Sequence, residues 1–355
     1  MTGAQRMLAA CRRQPVDATP VWFMRQAGRS FKEYRALKEK YDFLTMAKTP
    51  EIAAQVTLLP VGRLHVDAAV MFSDIALVLE GLGLEYHIEP EVGPVVAKPV
   101  RTQADVDALM VVDAEEATPY VFETLRILRR ELEGQTAVIG FAGSPFTLAC
   151  YMIEGGRSRS RMYEGVKALM FTQPGVWHGL MEKITEATIR YLLAQAKAGA
   201  QVIQLFDSWV GVLGPSQYEQ YVLPYSKRIF EAVRPTGAAT INFGTGTSSL
   251  LGLMATAGSD IIGVDWREDL GAAWRTIGYE HGIQGNLDPA MLLAPFPVIA
   301  EGARRVLRQA GGRPGHIFNL GHGVLPETIP DDLARLVELV HNESRKPHPA
   351  TAGKR

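Results

Sequence analysis

Cysteine is scarce in this chain, which has two cysteines, Cys11 and Cys150, among 355 residues. Two cysteines cannot build a disulfide framework or a cysteine-rich zinc site. The eight histidines show no HExxH motif and no paired-ligand spacing, so the sequence predicts no metal site. This composition is typical of a protein that works in the reducing cytoplasm, and we expect a cytoplasmic localisation.

The chain also lacks a large net charge and long apolar runs. The 37 basic residues balance 38 acidic ones, which argues against general affinity for nucleic acid or for membranes. No apolar stretch approaches the length that spans a bilayer. Residues 1–14 contain arginines, as an organelle transit peptide would, but their short apolar part favours an amphipathic first helix.

Apolar residues make up 47% of the chain, enough for a large core, and they fall into short runs that end in polar residues or glycine. Continuous apolar runs of this length are typical of strands that are buried on both faces, as in parallel sheets. The runs that we interpret as strands are residues 20–25, 68–74, 137–143, 202–208, 239–244, 261–266, 282–286 and 316–321.

Helix-start signals follow most of these runs. Ser144, Gly214 and Asp288 each precede a proline, which favours a helix that begins there. Ser30 and Glu33 have capping-box spacing before an amphipathic stretch that continues to residue 40. Strand, turn and capped helix, repeated about eight times, predict a (β/α)₈ barrel of the α/β class. The alternative, an open doubly wound sheet, usually carries a glycine fingerprint after its first strand, where this chain has RQAGR.

The chain shows no internal repeat and no linker, so we expect one domain over residues 1–345. Residues 81–100 alternate short β-like pieces with Gly and Pro, which indicates a hairpin inserted in the barrel. Residues 346–355 are polar and rich in Pro, Ala and Gly, and we expect them to form a disordered tail.

Candidate functional residues follow from the barrel, because working residues in this fold lie at the C-terminal ends of the strands and on the loops after them. The strand ends supply Arg25, Gln26, Arg29, Ser73, Asp74, Ser144, Asp207, Ser208, Asn242, Asp265, Asn286, Asn319 and His322.

The motif MRQAGR has two arginines, Arg25 and Arg29, around Gly28. A guanidinium offers a planar fork of donors, and a glycine lets backbone N–H groups approach a ligand, so the motif predicts an anion cradle. A surface ion-pair turn is the other interpretation.

Residues 154–161, EGGRSRSR, form either a solvated basic loop or a loop over an anionic substrate. Residues 244–249, GTGTSS, are too poor a match to a phosphate-binding loop and favour a tight turn.

Three other candidates keep two interpretations each. Asp74 is either a helix N-cap or a functional carboxylate. His322, between two glycines, is either a satisfied turn residue or a general base. Tyr151, about two turns into the helix after Ser144, belongs either to the core or to the site.

Longer motifs run through most of the chain. They are PVWFMRQAGR (20–29), EYR (33–35), KTPE (48–51), VDAAVMFSDI (66–75), GFAGSPFTLACYMIEGG (140–156), QLFDSW (204–209), GVDW (263–266), QGNLDP (284–289) and NLGHGVLPET (319–328). With these motifs the chain resembles the uroporphyrinogen decarboxylase family. Small departures occur at residues 30–32, where the family often has an aromatic residue followed by Leu-Pro, and at Asn242, where a histidine is expected.

The resemblance implies a distorted (β/α)₈ barrel that acts as a homodimer, without metal or organic cofactor. It implies decarboxylation of the four acetate side chains of uroporphyrinogen III, which gives coproporphyrinogen III in haem biosynthesis. Asp74 would stabilise the transition state, and Arg25 is the second candidate for a catalytic role. The residues implied to contact the substrate are Arg25, Gln26, Ala27, Gly28, Arg29, Asp74, Tyr151, Ser208 and His322.

Two other functions stay open at this point. A corrinoid-dependent methyltransferase has a related barrel but binds zinc through His and Cys, and neither cysteine here has HxC spacing. A tetrapyrrole-binding barrel without catalysis is the non-enzymatic alternative.

Overall fold

The computed structural model describes residues 1–89, 92–156, 160 and 162–345. Its centre is a seven-stranded, all-parallel sheet with the strand order β1-β4-β5-β6-β7-β8-β9. The sheet strands are β1 (Ala68–Val70), β4 (Ala137–Gly143), β5 (Val202–Asp207), β6 (Ala239–Gly244), β7 (Ile261–Gly263), β8 (Gly282–Leu287) and β9 (His316–Leu320). Seven of the eight predicted strands are therefore confirmed, although β1 and β7 end several residues earlier than predicted.

The predicted first strand, residues 20–25, is wrong as a regular strand. It makes one isolated bridge between Val21 and Phe318 of β9. Backbone hydrogen bonds nevertheless join this segment to both edges of the sheet. Phe318 N–H donates to the carbonyl of Pro20 (2.8 Å), and Asp67 N–H, just before β1, donates to the carbonyl of Val21 (2.8 Å). The segment thus closes a curled sheet into a distorted barrel.

The side chain of Asp67 explains why this closure needs no regular strand. Its Oδ2 accepts from Val21 N–H (2.7 Å) and contacts Nε2 of His341 (2.7 Å), and its Oδ1 lies 2.5 Å from Nη1 of Arg6. A carboxylate therefore takes the donor that a neighbouring strand would otherwise use. Asp67, at 1% exposure, ties the closing segment to the first and last helices of the chain.

Helices surround the sheet. The predicted starts after Ser144 and Gly214 are confirmed, and Asp288 begins a 3₁₀ helix, Pro289–Leu293, by accepting from Ala290 N–H. The helices are α1 (Gly3–Cys11), α2 (Lys32–Lys38), α3 (Phe43–Lys48), α4 (Pro50–Leu64), α5 (Gln103–Ala108), α6 (Ala114–Ala117), α7 (Pro119–Glu131), α8 (Pro145–Glu154), α9 (Glu164–Thr172), α10 (Pro174–Lys197), α11 (Pro215–Tyr221), α12 (Leu223–Val233), α13 (Leu251–Ala255), α14 (Leu270–Ile277), α15 (Phe296–Ala310) and α16 (Pro330–Ser344).

The capping box predicted at Ser30 and Glu33 is wrong. Phe31 is the N-cap of α2 and makes no side-chain cap, because a phenyl ring carries no hydrogen-bond acceptor. Its ring is buried in the core, at 1% exposure. Ser30 Oγ is buried and has no partner among the described residues, whereas Glu33 pairs with Arg63 at 3.1 Å. The helix also ends at Lys38, before the predicted residue 40.

Alternating side chains of the strands divide the core in two. One cluster lies on the inner face, where Ile139 and Phe141 of β4 pack with Trp22 and with Met7 of α1. The other lies between the sheet and the outer helices, and includes Val138 of β4. Because α1 contacts β1, β4, β6 and β9, the predicted amphipathic first helix fills one end of the barrel. The opposite end, at the C-terminal ends of the strands, is left for a site.

Residues 81–100 contain an antiparallel pair, β2 (Tyr86–Glu89) and β3 (Gly93–Val96), preceded by a 3₁₀ helix at Leu77–Leu82. Within the described residues, no helix has the length and apolar character needed to cross a bilayer. Most of the basic segment 157–161 and the whole tail 346–355 lie outside the described residues.

Candidate active site

Arg25 stands in a turn at the barrel mouth. Its φ of 60° lies in the left-handed region, which a residue with a side chain seldom adopts and which recurs at functional sites. The backbone carbonyl of Met24 accepts a hydrogen bond from Val324 N–H (2.8 Å), so the turn is held against the loop after β9. A Cβ added to Gly323 would clash with Cδ and Cγ of Arg25. The aliphatic stem of Arg25 therefore lies directly on the backbone beside His322.

Neither arginine of the MRQAGR motif is neutralised. Within the described residues, no carboxylate lies within 4.0 Å of the guanidinium of Arg25 or Arg29, and both side chains are exposed. The backbone N–H groups of Ala27, Gly28 and Arg29 donate to no described group. The surface ion-pair interpretation is therefore wrong for the part of the chain that the structure describes, and the geometry favours the anion cradle.

Gln26 holds the cradle in shape. Its Oε1 accepts from Phe23 N–H (3.0 Å), its Nε2 donates to the carbonyl of Ala68 in β1 (3.0 Å), and its own N–H donates to the carbonyl of Phe23 (3.0 Å). The residue is 0% exposed. All three donor and acceptor groups are thus engaged inside the protein, and what Gln26 does is fix the turn that carries Arg25.

Asp74 follows β1 and is half-buried. Its Oδ1 accepts from Ala76 N–H (2.8 Å), and Oδ2 accepts no hydrogen bond from a described residue. The N-cap of the following 3₁₀ helix is Ala76, so the N-cap interpretation of Asp74 is wrong. Burial raises the pKa of Asp74, whereas the Ala76 N–H and the positive charge of Arg25 lower it. The carboxylate therefore lies within electrostatic reach of Arg25 and keeps one oxygen for a ligand.

His322 lies on the other side of Arg25. The pKa of His322 is lowered to about 4, mainly by burial and also by the charges of Arg25 and Arg267, against an opposing effect of Asp265. Its ring contacts Trp266 edge to face, with centroids 6.2 Å apart. The imidazole is therefore neutral near pH 7, and it can donate or accept one hydrogen bond without adding charge.

Tyr151 of α8 is 5% exposed, yet it belongs to the same neighbourhood. Burial raises its pKa to about 12, the charge of Asp74 raises it too, and Arg25 opposes the shift. The Tyr151 ring meets the ring of Trp209, centroids 6.2 Å apart, which places the tyrosine beside the turn that follows β5. At neutral pH its hydroxyl is protonated and serves as a hydrogen-bond donor.

Ser208 is half-buried in that turn, and its carbonyl accepts from the Thr245 hydroxyl (2.5 Å). A residue missed in the sequence, Thr147 of α8, connects the turn to the helix. Its hydroxyl donates to Oδ1 of Asp207 (2.8 Å) and accepts from Trp209 N–H (3.2 Å). Thr147 thus holds the helix that carries Tyr151 against the turn that carries Ser208. A hydroxyl three residues after the N-cap, Ser144, is the signal that could have found it.

Other polar residues at the strand ends hold loops together. Asn286 Nδ2 donates to the carbonyl of Asp265 (2.8 Å), and Asn319 Oδ1 accepts from Met24 N–H (3.1 Å). Asp265 Oδ2 accepts from Gly246 N–H (2.6 Å). Gly246 has a φ of 68°, which agrees with the tight turn predicted at residues 244–249. These side chains build the mouth of the barrel and are engaged by protein groups, except that Nδ2 of Asn319 is buried without a partner among the described residues.

The arrangement combines free cations, one half-buried carboxylate and two neutral donors. Unpaired guanidinium groups bind carboxylates, and a carboxylate with a free oxygen accepts N–H donors and stabilises a positive charge. Among the described residues, no group of three or more His, Cys, Asp or Glu side chains could hold a metal ion. The site is therefore suited to an organic polyanion with N–H groups at its centre.

Comparison with known proteins identifies the family. The model of the family "Uroporphyrinogen decarboxylase (URO-D)" matches residues 2–343. The chain belongs to the uroporphyrinogen decarboxylase family. It is 52% identical over 337 residues to the uroporphyrinogen decarboxylase of Carboxydothermus hydrogenoformans, covering 95% of this chain and 96% of that one. It is 50% identical to that of Roseiflexus sp., covering 96% and 98%.

Solved structures that resemble this member of the decarboxylase family confirm the fold. A methyltransferase from Methanosarcina mazei superposes with a TM-score of 0.79 at 20% identity, over 97% of this chain and 99% of that one. A B12-independent methionine synthase from Shewanella sp. gives a TM-score of 0.57 at 10% identity, over 83% and 88%. At such identities the likeness concerns the fold alone.

Proposed function

We propose that the chain is a uroporphyrinogen decarboxylase, a carboxy-lyase that converts the four acetate side chains of uroporphyrinogen III to methyl groups. The observation that carries this proposal is that a half-buried Asp74, with one free oxygen, lies within electrostatic reach of Arg25, whose guanidinium has no carboxylate within 4.0 Å among the described residues. The substrate presents pyrrole N–H donors at its centre and carboxylates at its edge, which matches that pair.

The chemistry follows from the loss of CO₂ and from the protons that the substrate takes up and releases. Loss of CO₂ from an acetate breaks a C–C bond and leaves an electron pair, which needs a sink. Protonation of the ring α-carbon makes a cationic iminium that accepts this pair, and the exocyclic carbon then takes a proton while the ring proton leaves. Each turnover consumes one proton and releases one CO₂. The Asp74 carboxylate stabilises the cation, an effect of about 3 kcal/mol if it resembles one oxyanion-hole contact.

The other residues hold the substrate in this proposal. Arg25 orients a carboxylate next to the reacting ring, and Arg29, with the free N–H groups of Ala27 and Gly28, binds another carboxylate. Tyr151, Ser208 and neutral His322 donate hydrogen bonds to further carboxylate oxygens. The N–H of Gln26 is already engaged, so we assign its role to the shape of the cradle.

We also propose, as the family resemblance implies, that the protein works as a homodimer in the cytoplasm and needs no cofactor. Both cysteines are free and buried, which suits a reducing compartment. Burial raises the pKa of Cys11 to about 12, so this thiol is inert as a nucleophile or metal ligand.

One experiment separates the proposal from its alternatives. The purified protein is incubated anaerobically with uroporphyrinogen III, and the products are separated by chromatography according to carboxylate number. Stepwise loss of four carboxylates supports the decarboxylase. Binding of the substrate without any loss would leave a tetrapyrrole-binding barrel, and methyl transfer from a methylated corrinoid would indicate the methyltransferase.

Chelation is expected to leave turnover unchanged. The chromatographic assay of carboxylate loss is run with and without EDTA on the same enzyme stock. The reason is that the described residues contain no cluster of metal-ligating side chains and that the substrate itself supplies the electron sink. Loss of activity with EDTA, restored by one divalent metal, would contradict this prediction.

The Arg25→Lys variant is expected to lower kcat, although the charge is conserved. Lysine lacks the planar fork, and a carboxylate shifted by about an ångström loses its reactive geometry. Arg29→Lys is the control, because Arg29 is assigned to another carboxylate than the one next to the reacting ring, so its replacement should change mainly KM. Both constants are measured at one ionic strength. A wild-type kcat for Arg25→Lys would leave Arg25 the role of a charge alone.

A further inference from the structure

Arg267 is a cation at the barrel mouth that none of the sequence motifs identified. It follows β7 by four residues, one position after the predicted strand ended. Its Nη1 lies 2.5 Å from Oδ2 of Asp265, its backbone N–H donates to Oδ1 of the same carboxylate (2.9 Å), and its guanidinium stacks on the Trp266 ring at 4.0 Å. The side chain is nevertheless 50% exposed. It is therefore held in one orientation while it faces solvent.

The contacts occupy only part of the guanidinium. Nη1 is engaged by Asp265, and one face is covered by Trp266, but Nε and Nη2 donate to no described residue. These two donors form one edge of the planar fork, the edge that grips a carboxylate through two parallel hydrogen bonds. A guanidinium that is fixed before binding loses little conformational entropy when a carboxylate arrives.

The loop that carries this edge of Arg267 packs against the candidate active site. The ring that supports Arg267, Trp266, meets the ring of His322, and a Cβ added to Gly321 would clash with the backbone of Trp266. The loop after β7 is thus packed against the loop after β9, and the stem of Arg25 also lies against the loop after β9. Around the barrel, β9, which His322 follows, stands between β7, which Arg267 follows, and the closing segment that carries Arg25. His322 therefore lies between the two loops that carry these arginines, and it experiences both positive charges.

We propose that Arg267 binds a propionate carboxylate of the substrate through its Nε–Nη2 edge, on the side of His322 opposite Arg25. This inference rests on the proposed function. The reaction removes acetates and leaves all four propionates, so an anchor that serves every step has to hold a propionate. Arg267 follows β7, whereas Asp74 follows β1, and these strands are far apart in the strand order of the sheet, so Arg267 is placed away from the acetate that reacts at Asp74.

The chain offers a matched control for this residue. Arg335 of α16 pairs with Asp332 at 2.9 Å, stacks on the Phe296 ring at 3.7 Å and is 56% exposed, so its environment copies that of Arg267. It lies on the outer helices instead of the mouth. Arg335→Gln therefore reports what the loss of such a pair does without the loss of a substrate contact.

The test measures kcat and KM for uroporphyrinogen III and for the pentacarboxylate intermediate, in wild type, Arg267→Gln, Arg267→Lys and Arg335→Gln. We expect Arg267→Gln to raise KM by about fivefold, the upper range for a half-exposed ion pair, with kcat within about twofold of wild type. The rise should be equal for both substrates, and Arg335→Gln should leave KM unchanged. Activity of the wild type in the same assay tests the proposed function separately.

Three results would overturn the inference. An unchanged KM in Arg267→Gln means that no substrate group reaches the guanidinium. A KM effect that shrinks for the pentacarboxylate assigns the contact to an acetate. Full recovery of KM in Arg267→Lys means that Arg267 serves Asp265 only, because lysine pairs with Asp265 but lacks the second edge.

Discussion

Replacing Asp74 by asparagine is expected to reduce kcat by about 10²-fold or more while the protein stays folded. Asparagine still accepts a hydrogen bond from Ala76 N–H, as Oδ1 of Asp74 does at 2.8 Å. It brings no negative charge, and its NH₂ group would face the pyrrole donors of the substrate. If stabilisation of the cation dominates, the variant loses turnover more than it loses binding.

The fold should tolerate the change because the ionised carboxylate is costly where it stands. Burial raises the pKa of Asp74, so the folded state disfavours the charge, and folding stability falls as pH rises from the ordinary carboxyl range through the raised pKa. A neutral amide of the same shape removes that cost. The free energy of unfolding of Asp74→Asn at neutral pH should therefore equal or exceed that of the wild type.

Asp113 provides the control for this variant. It makes the same local contact, with Oδ1 accepting from Glu115 N–H at 2.8 Å, but it precedes α6 on the outside of the barrel. Asp113→Asn should keep wild-type kcat and KM. A near-normal kcat with a raised KM in Asp74→Asn would mean that Asp74 positions the substrate and does not stabilise the transition state.

Replacing Asp67 by asparagine is expected to lower the free energy of unfolding by about 3 kcal/mol, the lower end of the range for removing one partner of a buried ion pair. The carboxylate is 1% exposed and contacts Arg6, His341 and Val21 N–H. Asparagine preserves one acceptor for Val21 but presents a donor to Arg6. Asp17, which also pairs with Arg6 at 2.8 Å, limits the loss.

Urea denaturation measures this effect, and kinetics show whether it is confined to stability. Asp67 precedes β1, at the end of the barrel opposite the mouth, so the KM of the folded variant should match the wild type. Glu186→Gln is the control, because Glu186 pairs with Arg190 at 2.8 Å on the surface of α10 and should contribute about 0.5 kcal/mol or less. Equal losses in both variants would show that Asp67 does not lock the barrel.

The barrel itself could be predicted from local features of the sequence. Seven apolar runs became strands of one parallel sheet, because such runs are stable only when both faces are covered. Helices began at Pro145 and Pro215, because a cap-type residue followed by proline satisfies local backbone geometry. The same reasoning brought Arg25, Asp74 and His322 to one end of the barrel, since parallel strands share one C-terminal edge.

Prediction failed where a distant group takes a backbone donor or acceptor. The segment after Pro20 has the apolar character of a strand, but Asp67, 46 residues later than Val21, supplies the hydrogen bond that a strand partner would have made. The capping box at Ser30 has the right spacing, but burial of Phe31 shifted the start of the helix by one residue. Local pattern carries no information about such partners.

The sequence by itself determined the family, the order of the barrel strands and the set of polar residues at their ends, because motifs and hydrophobic runs are read along the chain. Only the tertiary structure decided which of those residues stay available to a ligand. It showed that Gln26 is used internally and that Asp74 keeps one free oxygen, and it added Arg267, absent from that set, as a guanidinium fixed with one edge open. The reason is physical: a polar group is free or engaged according to the atoms that folding brings within about 3 Å of it, and most of those atoms come from other parts of the chain.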